Sequence, residues 1–359
     1  MEKIRVGIIG TGFGAKVHAP MMNFHDGFDV VAIASVSRGN IEEIRKVSRI
    51  ENVYTDWRQM LDQEQLELVV IASAVQLHKE MVLAAYEKGL HVMCEKPMAL
   101  HIKEANEMIS ARNKAGKFGL INHEFRYLPA RTKVKEILDS EALGRILHVR
   151  YLCSFPTYNA LVSKPRGWLG QTETGGGMLG AIGSHMTDSL HWWLNSRYSE
   201  VFANLPIHVP TQTAPDGIVE TRTADDAFQV IGKLESGPTV TMDLISAACQ
   251  TATNWRLEIF GTSGTLVMVD DNQVYISSGD APLEEVELGS EITAPPGMPA
   301  VAARYYNGFN RALDALNDTL VTGTKQPYLA DFEDGRATQL VLDAIRLSAN
   351  EGKKIEITY

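Results

Sequence analysis

An open parallel α/β sheet followed by an α+β domain is the fold that the sequence predicts, on three observations. Short apolar runs rich in Val and Ile alternate with helical patterns over the first 122 residues. A glycine-rich turn directly follows the first of those runs. Beyond residue 122 the rhythm changes to closely spaced strand-like runs separated by Gly, Pro and Ser turns. With 359 residues, 45% of them hydrophobic, the chain is long enough for two domains, expected at 1–122 and 123–359.

Residues 4–9, 30–34, 66–72, 90–94 and 117–121 are too short for buried helices and read as buried parallel strands. Residues 76–88 and 100–115 carry helical patterns, closed by Gly89 and Gly116, which accept the left-handed backbone of a helix end. Strand, helix and strand at this spacing imply right-handed crossovers and a doubly wound sheet. Pro20 interrupts the first helical segment and predicts a short or kinked helix there. In the second half a helix is expected at 129–140, a strand at 146–153 and an irregular stretch at 155–177. Strands at 227–234, 239–246, 255–260 and 265–270, with turn signals at 235–238 and 261–264, predict an antiparallel meander. A loop with three prolines at 292–299, helices at 302–319 and 332–350 and a strand at 354–358 complete an α+β domain.

The net charge of −10 argues against a nucleic-acid surface, which needs clustered Lys and Arg. Cys94, Cys153 and Cys249 are odd in number and far apart, so neither a disulfide framework nor a metal site is expected. Met1-Glu2-Lys3-Ile4-Arg5 leads almost directly into a strand, and no run of about 18 apolar residues occurs. A cytoplasmic protein without membrane or nucleic-acid partners is therefore expected.

Gly10-Thr11-Gly12-Phe13-Gly14-Ala15 follows the first strand as G-x-G-x-x-A. Such glycines permit a tight turn and let backbone N–H groups approach a pyrophosphate at the start of a helix. An acid at the end of the second strand would take the ribose 2'-hydroxyl of NAD, but here the chain reads Ala34-Ser35-Val36-Ser37-Arg38. Hydroxyls from Ser35 and Ser37 and the planar donor fork of Arg38 suit a 2'-phosphate, which favours NADP over NAD. The alternative is that Arg38 faces solvent and leaves the choice open. At the same sheet edge Ser73, Ala74 and His78 follow the third of these runs. His78 either contacts the nicotinamide side or is only a first-turn helix residue.

Cys94-Glu95-Lys96-Pro97 places an ammonium group at the carboxyl end of another strand, beside the expected dinucleotide. A lone loop lysine is usually a solvated charge, but Pro97 restricts its backbone and Glu95 is at hand to hold it in register. A second constellation, Gly175-Gly176-Gly177, leads into helical spacing that puts His185 and Asp188 on one face. His185 is either a base or a core histidine satisfied by Asp188.

Together these motifs resemble the glucose-fructose oxidoreductase, inositol dehydrogenase and rhizopine-catabolism (Gfo/Idh/MocA) family over essentially the whole chain. The carriers are Glu95-Lys96-Pro97, Gly175 to His185, and Asn122-His123-Glu124-Phe125-Arg126-Tyr127. The resemblance implies a Rossmann domain, an α+β domain with a large open, mainly antiparallel sheet, and a homodimer or homotetramer formed through that sheet. It implies hydride transfer between NAD(P) and a sugar, cyclitol or related polyol, with Lys96 and His185 catalytic. Under it Asn122, Arg126, Tyr127, Arg166, Trp168, His185 and Asp188 are the candidate substrate-binding residues. Two departures stand out: Ala181 replaces the usual Asp four residues before the histidine, and Ser73-Ala74 replaces the usual Thr-Pro. The missing acid favours one alternative, a dinucleotide-sensing binding or regulatory protein on the same fold; a second, enzymatic alternative is a glycosidase that uses a tightly held dinucleotide for transient oxidation.

Overall fold

The first apolar run forms β1 (Ile4–Ile9) in the computed structural model, which describes residues 2–36, 41–214 and 216–359. The chain continues through α1 (Ala19–Asn23), β2 (Phe28–Ala34), α2 (Ile41–Ser48), β3 (Val53–Tyr54), α3 (Trp57–Gln63) and β4 (Leu68–Ile71). Then come α4 (His78–Glu87), β5 (His91–Cys94), α5 (Ile102–Ala115) and β6 (Gly119–Ile121). These strands pair in parallel in the order β3-β2-β1-β4-β5-β6. The order reverses between β1 and β4, opening the crevice at strand carboxyl ends where doubly wound sheets take ligands.

Helices on both sides explain why these strands read as continuous apolar runs rather than alternating ones. Val6, Ile8, Leu68 and Val70 pack into one core, and Ile9, Val69 and Ile71 into another on the opposite face. The effect of Pro20 is as expected. A π-helical turn, Gly14–His18, runs into the five-residue α1, with Pro20 in its first turn.

The chain then forms α6 (Pro129–Asp139), β7 (Ile146–Ser154), α7 (Tyr158–Ser163), α8 (Ser184–Leu194), β8 (Tyr198–Asn204), β9 (Thr211–Thr213) and β10 (Val219–Thr221). β11 (Ala227–Leu234), β12 (Thr239–Ile245), β13 (Trp255–Gly261), β14 (Gly264–Val269), β15 (Gln273–Ser278) and β16 (Glu284–Glu285) follow. The last elements are α9 (Ala300–Ala303), α10 (Tyr306–Thr322), α11 (Phe332–Glu351) and β17 (Ile355–Glu356). A nine-stranded sheet runs β16-β15-β14-β13-β7-β12-β11-β8-β17. It is mainly antiparallel, with burial alternating along β11, β12 and β13 so that one face is covered and the other open.

Two expectations are corrected. The meander is interrupted, because β7 lies between β12 and β13, parallel to the first and antiparallel to the second. Both predicted tight turns do make hairpins, β11 with β12 and β13 with β14, but residues 246–254 between the two hairpins carry no tight turn. That length lets β7, with Val149, Tyr151 and Cys153 buried, occupy the centre. The second correction concerns the domains. The compact units are 1–127 with 291–336, and 128–290 with 337–359, so residues 291–336 return to the first unit. The reason is apolar burial: Phe309, Leu313 and Leu316 of α10 share one core with Val6, Ile8 and Met21. Among the described residues no helix is long and apolar enough to cross a membrane.

Candidate active site

The glycine turn is built from three different requirements. Gly10 has φ +120°, and a Cβ there would lie 2.2 Å from the Ala72 carbonyl oxygen. Only glycine fits where β1 turns sharply against the end of β4. A Cβ on Gly14 would sit 3.0 Å from the Ile8 side chain, so this glycine brings the helical turn close to the sheet. At Gly12 a Cβ would meet no described atom within 4 Å, and its φ lies outside the positive range. The fold itself therefore does not demand Gly12, whereas a pyrophosphate approaching the backbone would. Thr11 and Phe13 flank it, half-buried. These residues fit a dinucleotide phosphate at the start of a helical stretch.

Backbone hydrogen bonds extend the sheet past its strand ends and gather the other predicted residues at the same edge. Ala72 N–H donates to Ile9 O at 2.8 Å, Glu95 N–H to Ile71 O at 2.9 Å, and Asn122 N–H to Cys94 O at 2.9 Å. Ser73, Ala74, Glu95, Lys96 and Asn122 thus lie along the carboxyl edge of the sheet, after β4, β5 and β6 in turn. Ser35 is buried at the end of β2, its N–H donating to Tyr54 O at 2.8 Å. Ser37 and Arg38 lie outside the described residues.

Glu95 is buried and receives two donors on one oxygen: His18 Nε2 at 2.7 Å and Asn122 Nδ2 at 2.7 Å, both to Oε1. Its Oε2 accepts the Lys96 N–H at 3.3 Å. Burial alone would raise the carboxyl pKa, but the hydrogen bond and charge of His18, the Lys96 ammonium and the Asn122 amide outweigh it and hold it at about 2. A carboxylate is thereby fixed next to Lys96, which is half-buried and joined to Pro97 by a cis peptide bond. His18 was not singled out in the sequence, although its place four residues after Gly14 was a usable signal.

His78 is buried, with Nδ1 3.3 Å from Met98 O and Nε2 3.2 Å from Ser73 O. Burial lowers its pKa. Each ring nitrogen thus faces a backbone carbonyl, and the neutral ring donates to one of the two. Arg126 and Tyr127 also turn to the chain itself. Arg126 Nη1 lies 3.3 Å from Tyr328 O and 3.5 Å from Asp334 Oδ2, while Tyr127 OH donates to Pro327 O at 3.3 Å. These contacts hold the returning segment in the first unit.

In the second unit the triple glycine is explained by the chain's own packing. A Cβ on Gly176 would sit 2.5 Å from Leu169 O, and one on Gly177, at φ +104°, 2.2 Å from Asp225 Oδ1. Asp225 Oδ2 accepts the Leu179 N–H at 2.8 Å, capping the π-helical turn Leu179–Gly183 that runs into α8. Burial raises the Asp225 pKa against that hydrogen bond. His185 and Asp188 are buried in the first turns of α8, and Ala181 takes the N-terminal side. Arg166 Nη2 touches Met178 Sδ at 3.0 Å, and its N–H is held by the Glu220 carboxylate, while Trp168 is 47% exposed. The stretch read as irregular contains α7 and is fastened to the β9–β10 hairpin by Glu220 and by Gln171 Nε2 donating to Thr221 O at 2.8 Å.

A parallel sheet of this order, with such a glycine turn at its switch point, defines a dinucleotide-binding protein. Residues 4–123 match the model of an oxidoreductase family with an NAD-binding Rossmann fold, and 132–267 match the C-terminal domain of the same family. The chain belongs to the Gfo/Idh/MocA family of oxidoreductases. It is 32% identical over 275 residues to an uncharacterized oxidoreductase of Synechocystis sp., covering 75% of this chain and 72% of that one. It is 26% identical to the levoglucosan dehydrogenase of Pseudarthrobacter phenanthrenivorans over 99% of both chains, and 22% identical to the myo-inositol 2-dehydrogenase of Thermotoga maritima over 99% and 98%. Its fold is that of a levoglucosan dehydrogenase in complex with NADH and L-sorbose, with a TM-score of 0.87, 24% identity and full coverage of both chains.

Proposed function

We propose that this oxidoreductase is an NAD(P)-dependent dehydrogenase or reductase acting on a CH–OH group of a sugar, cyclitol or related polyol. The observation that carries the reading is Lys96, set beside a clamped carboxylate at the edge where Gly12 leaves its backbone open. The names of the levoglucosan and myo-inositol dehydrogenases support the substrate class. When bound on the glycine turn, a nicotinamide dinucleotide supplies or takes up the hydride. Gly10, Thr11, Gly12, Phe13 and Gly14 would hold its phosphates, with Ser35, Ser73, Ala74 and Glu95 along the same edge. Lys96 hydrogen-bonds the reacting oxygen and stabilises developing alkoxide charge. His185 is assigned the hydroxyl proton, accepting it in oxidation and returning it in reduction. Asn122, Arg126, Tyr127, Arg166, Trp168 and Asp188 are the candidates for hydroxyl recognition, Asn122 also donating to the Glu95 carboxylate.

NADP(H) is the proposed preferred form, because no acid closes β2 and Arg38 follows it. The NADH bound to the levoglucosan dehydrogenase sets the competing expectation. Initial rates with NAD⁺ and NADP⁺ over a panel of myo-inositol, levoglucosan, glucose 6-phosphate and D-apiose test both halves. Oxidation with net formation of reduced dinucleotide is expected. A strong NAD⁺ preference would remove Arg38 from cofactor selection, and release of sugar without net reduction would favour the glycosidase. Lys96→Ala is expected to lower turnover by about 10²-fold or more with dinucleotide affinity retained. The open face of the nine-stranded sheet carries Phe202 and Ile231 in direct register, 45% and 62% exposed, which supports assembly of copies through it. Ile231→Lys is expected to shift the sedimentation coefficient toward the monomer if that face joins copies.

A further inference from the structure

His18 is a buried polar residue whose place in the core has no apolar justification. Its ring meets Phe13 edge-on at 5.4 Å and Phe309 at 5.1 Å, an environment a phenylalanine would fill equally well. Nδ1 is buried and has no hydrogen-bond partner among the described residues. Leaving such an atom unpaired is unfavourable, so the residue is explained by its other nitrogen. Nε2 donates to Glu95 Oε1 at 2.7 Å, and the same carboxylate accepts the Lys96 N–H through Oε2. His18 also ends the helical turn that begins at Gly14, so one side chain links the glycine turn to the Glu95-Lys96 corner.

We propose that His18 is a positioning residue that sets the direction of Lys96 by clamping the Glu95 carboxylate. It touches neither the substrate nor the reacting atoms. The role rests on the assignment of Lys96 made above. A catalytic group must be held within a fraction of an ångström and a few tens of degrees, and a side chain locked by a second hydrogen-bonded residue meets that demand. Phe13 and Phe309 fix the His18 ring, the ring fixes the carboxylate, and the carboxylate fixes the backbone from which the ammonium projects.

The test is a double-mutant cycle in the full-length protein, with the panel member that wild type oxidises fastest and its better dinucleotide. His18→Phe and His18→Gln are made in the wild-type and Lys96→Ala backgrounds, with dinucleotide affinity read by quenching of protein fluorescence. In the wild-type background His18→Phe is expected to lower kcat roughly 10- to 100-fold. His18→Gln, which keeps a donor near the Nε2 position, is expected to recover most of that loss. In the Lys96→Ala background His18→Phe is expected to cost nothing further. Equal losses in both backgrounds, or an unchanged kcat in a folded His18→Phe protein, would overturn the positioning role. If His18→Phe does not fold, Asn122→Ala removes the other donor to the same oxygen, and the same dependence on Lys96 is required of it. A Lys96→Ala enzyme as fast as wild type would instead remove the Lys96 assignment itself, an outcome that no His18 variant produces.

Discussion

The two glycine-rich segments are alike in composition and differ in what surrounds them. In Gly10 to Gly14, two glycines are demanded by the fold and the third, Gly12, faces open space. At Gly176 and Gly177 the chain itself fills the room, with the Leu169 carbonyl and the Asp225 carboxylate where side chains would stand. The buried ion pairs repeat the contrast. Arg131 is fully enclosed by Tyr151, Trp193 and Trp255, closes bidentately on Asp271 at 2.8 and 3.0 Å, and holds Ser189 Oγ at 2.9 Å. His18 and Glu95 close on each other but end at a sheet edge beside a lysine. Glycine or buried charge marks a site only where the chain leaves something at the edge for a ligand to meet.

Four variants sharpen or break that comparison. Asp271→Ala strands the buried Arg131 charge and is expected to cost about 3–5 kcal/mol in denaturant unfolding. A loss below about 1 kcal/mol would show the enclosed pair to be dispensable. Gly177→Ala forces a side chain into Asp225 at positive φ, with an expected cost of about 2–4 kcal/mol. Gly12→Ala is expected to change stability by less than about 1 kcal/mol while raising the dinucleotide dissociation constant about tenfold or more. Unchanged affinity in calorimetry would deny Gly12 its ligand. The smallest effect is confined to acid. Glu95 has its ordinary value of 4.5 lowered to about 2, so as pH falls the unfolded chain takes up this proton first. Its stabilisation is complete above about 4.5 and is lost as pH falls toward 2. Glu95→Gln is therefore expected to flatten the pH dependence of unfolding in that window relative to wild type, and parallel curves would contradict the low value.

Much of the first unit was legible because each signal was local. Strands buried on both faces are apolar throughout, helix ends carry glycine, and a pyrophosphate turn needs glycines at fixed spacing. The Glu95-Lys96-Pro97 corner at the end of β5 was legible for the same reason, as a contiguous motif after an apolar run. Nothing local shows that the Asn122 amide reaches across from β6 to Glu95. The contacts of His78, Arg126 and Tyr127 with backbone carbonyls of their own unit depend on partners distant in the chain and carry no local signal.

By itself the sequence determined the main strands of the parallel sheet, the glycine turn after β1 and the oxidoreductase family, because these rest on periodicity, turn chemistry and contiguous motifs. Tertiary structure alone decided that α10 belongs to the first unit. Phe309, Leu313 and Leu316 make the same apolar stripe whichever core they enter, and burial against Val6 and Ile8 settles which. It also decided that β7 divides the meander, since strand pairing depends on partners far apart in the chain. His18 became visible in the same way, through a hydrogen bond across 77 positions to Glu95 that no local pattern encodes.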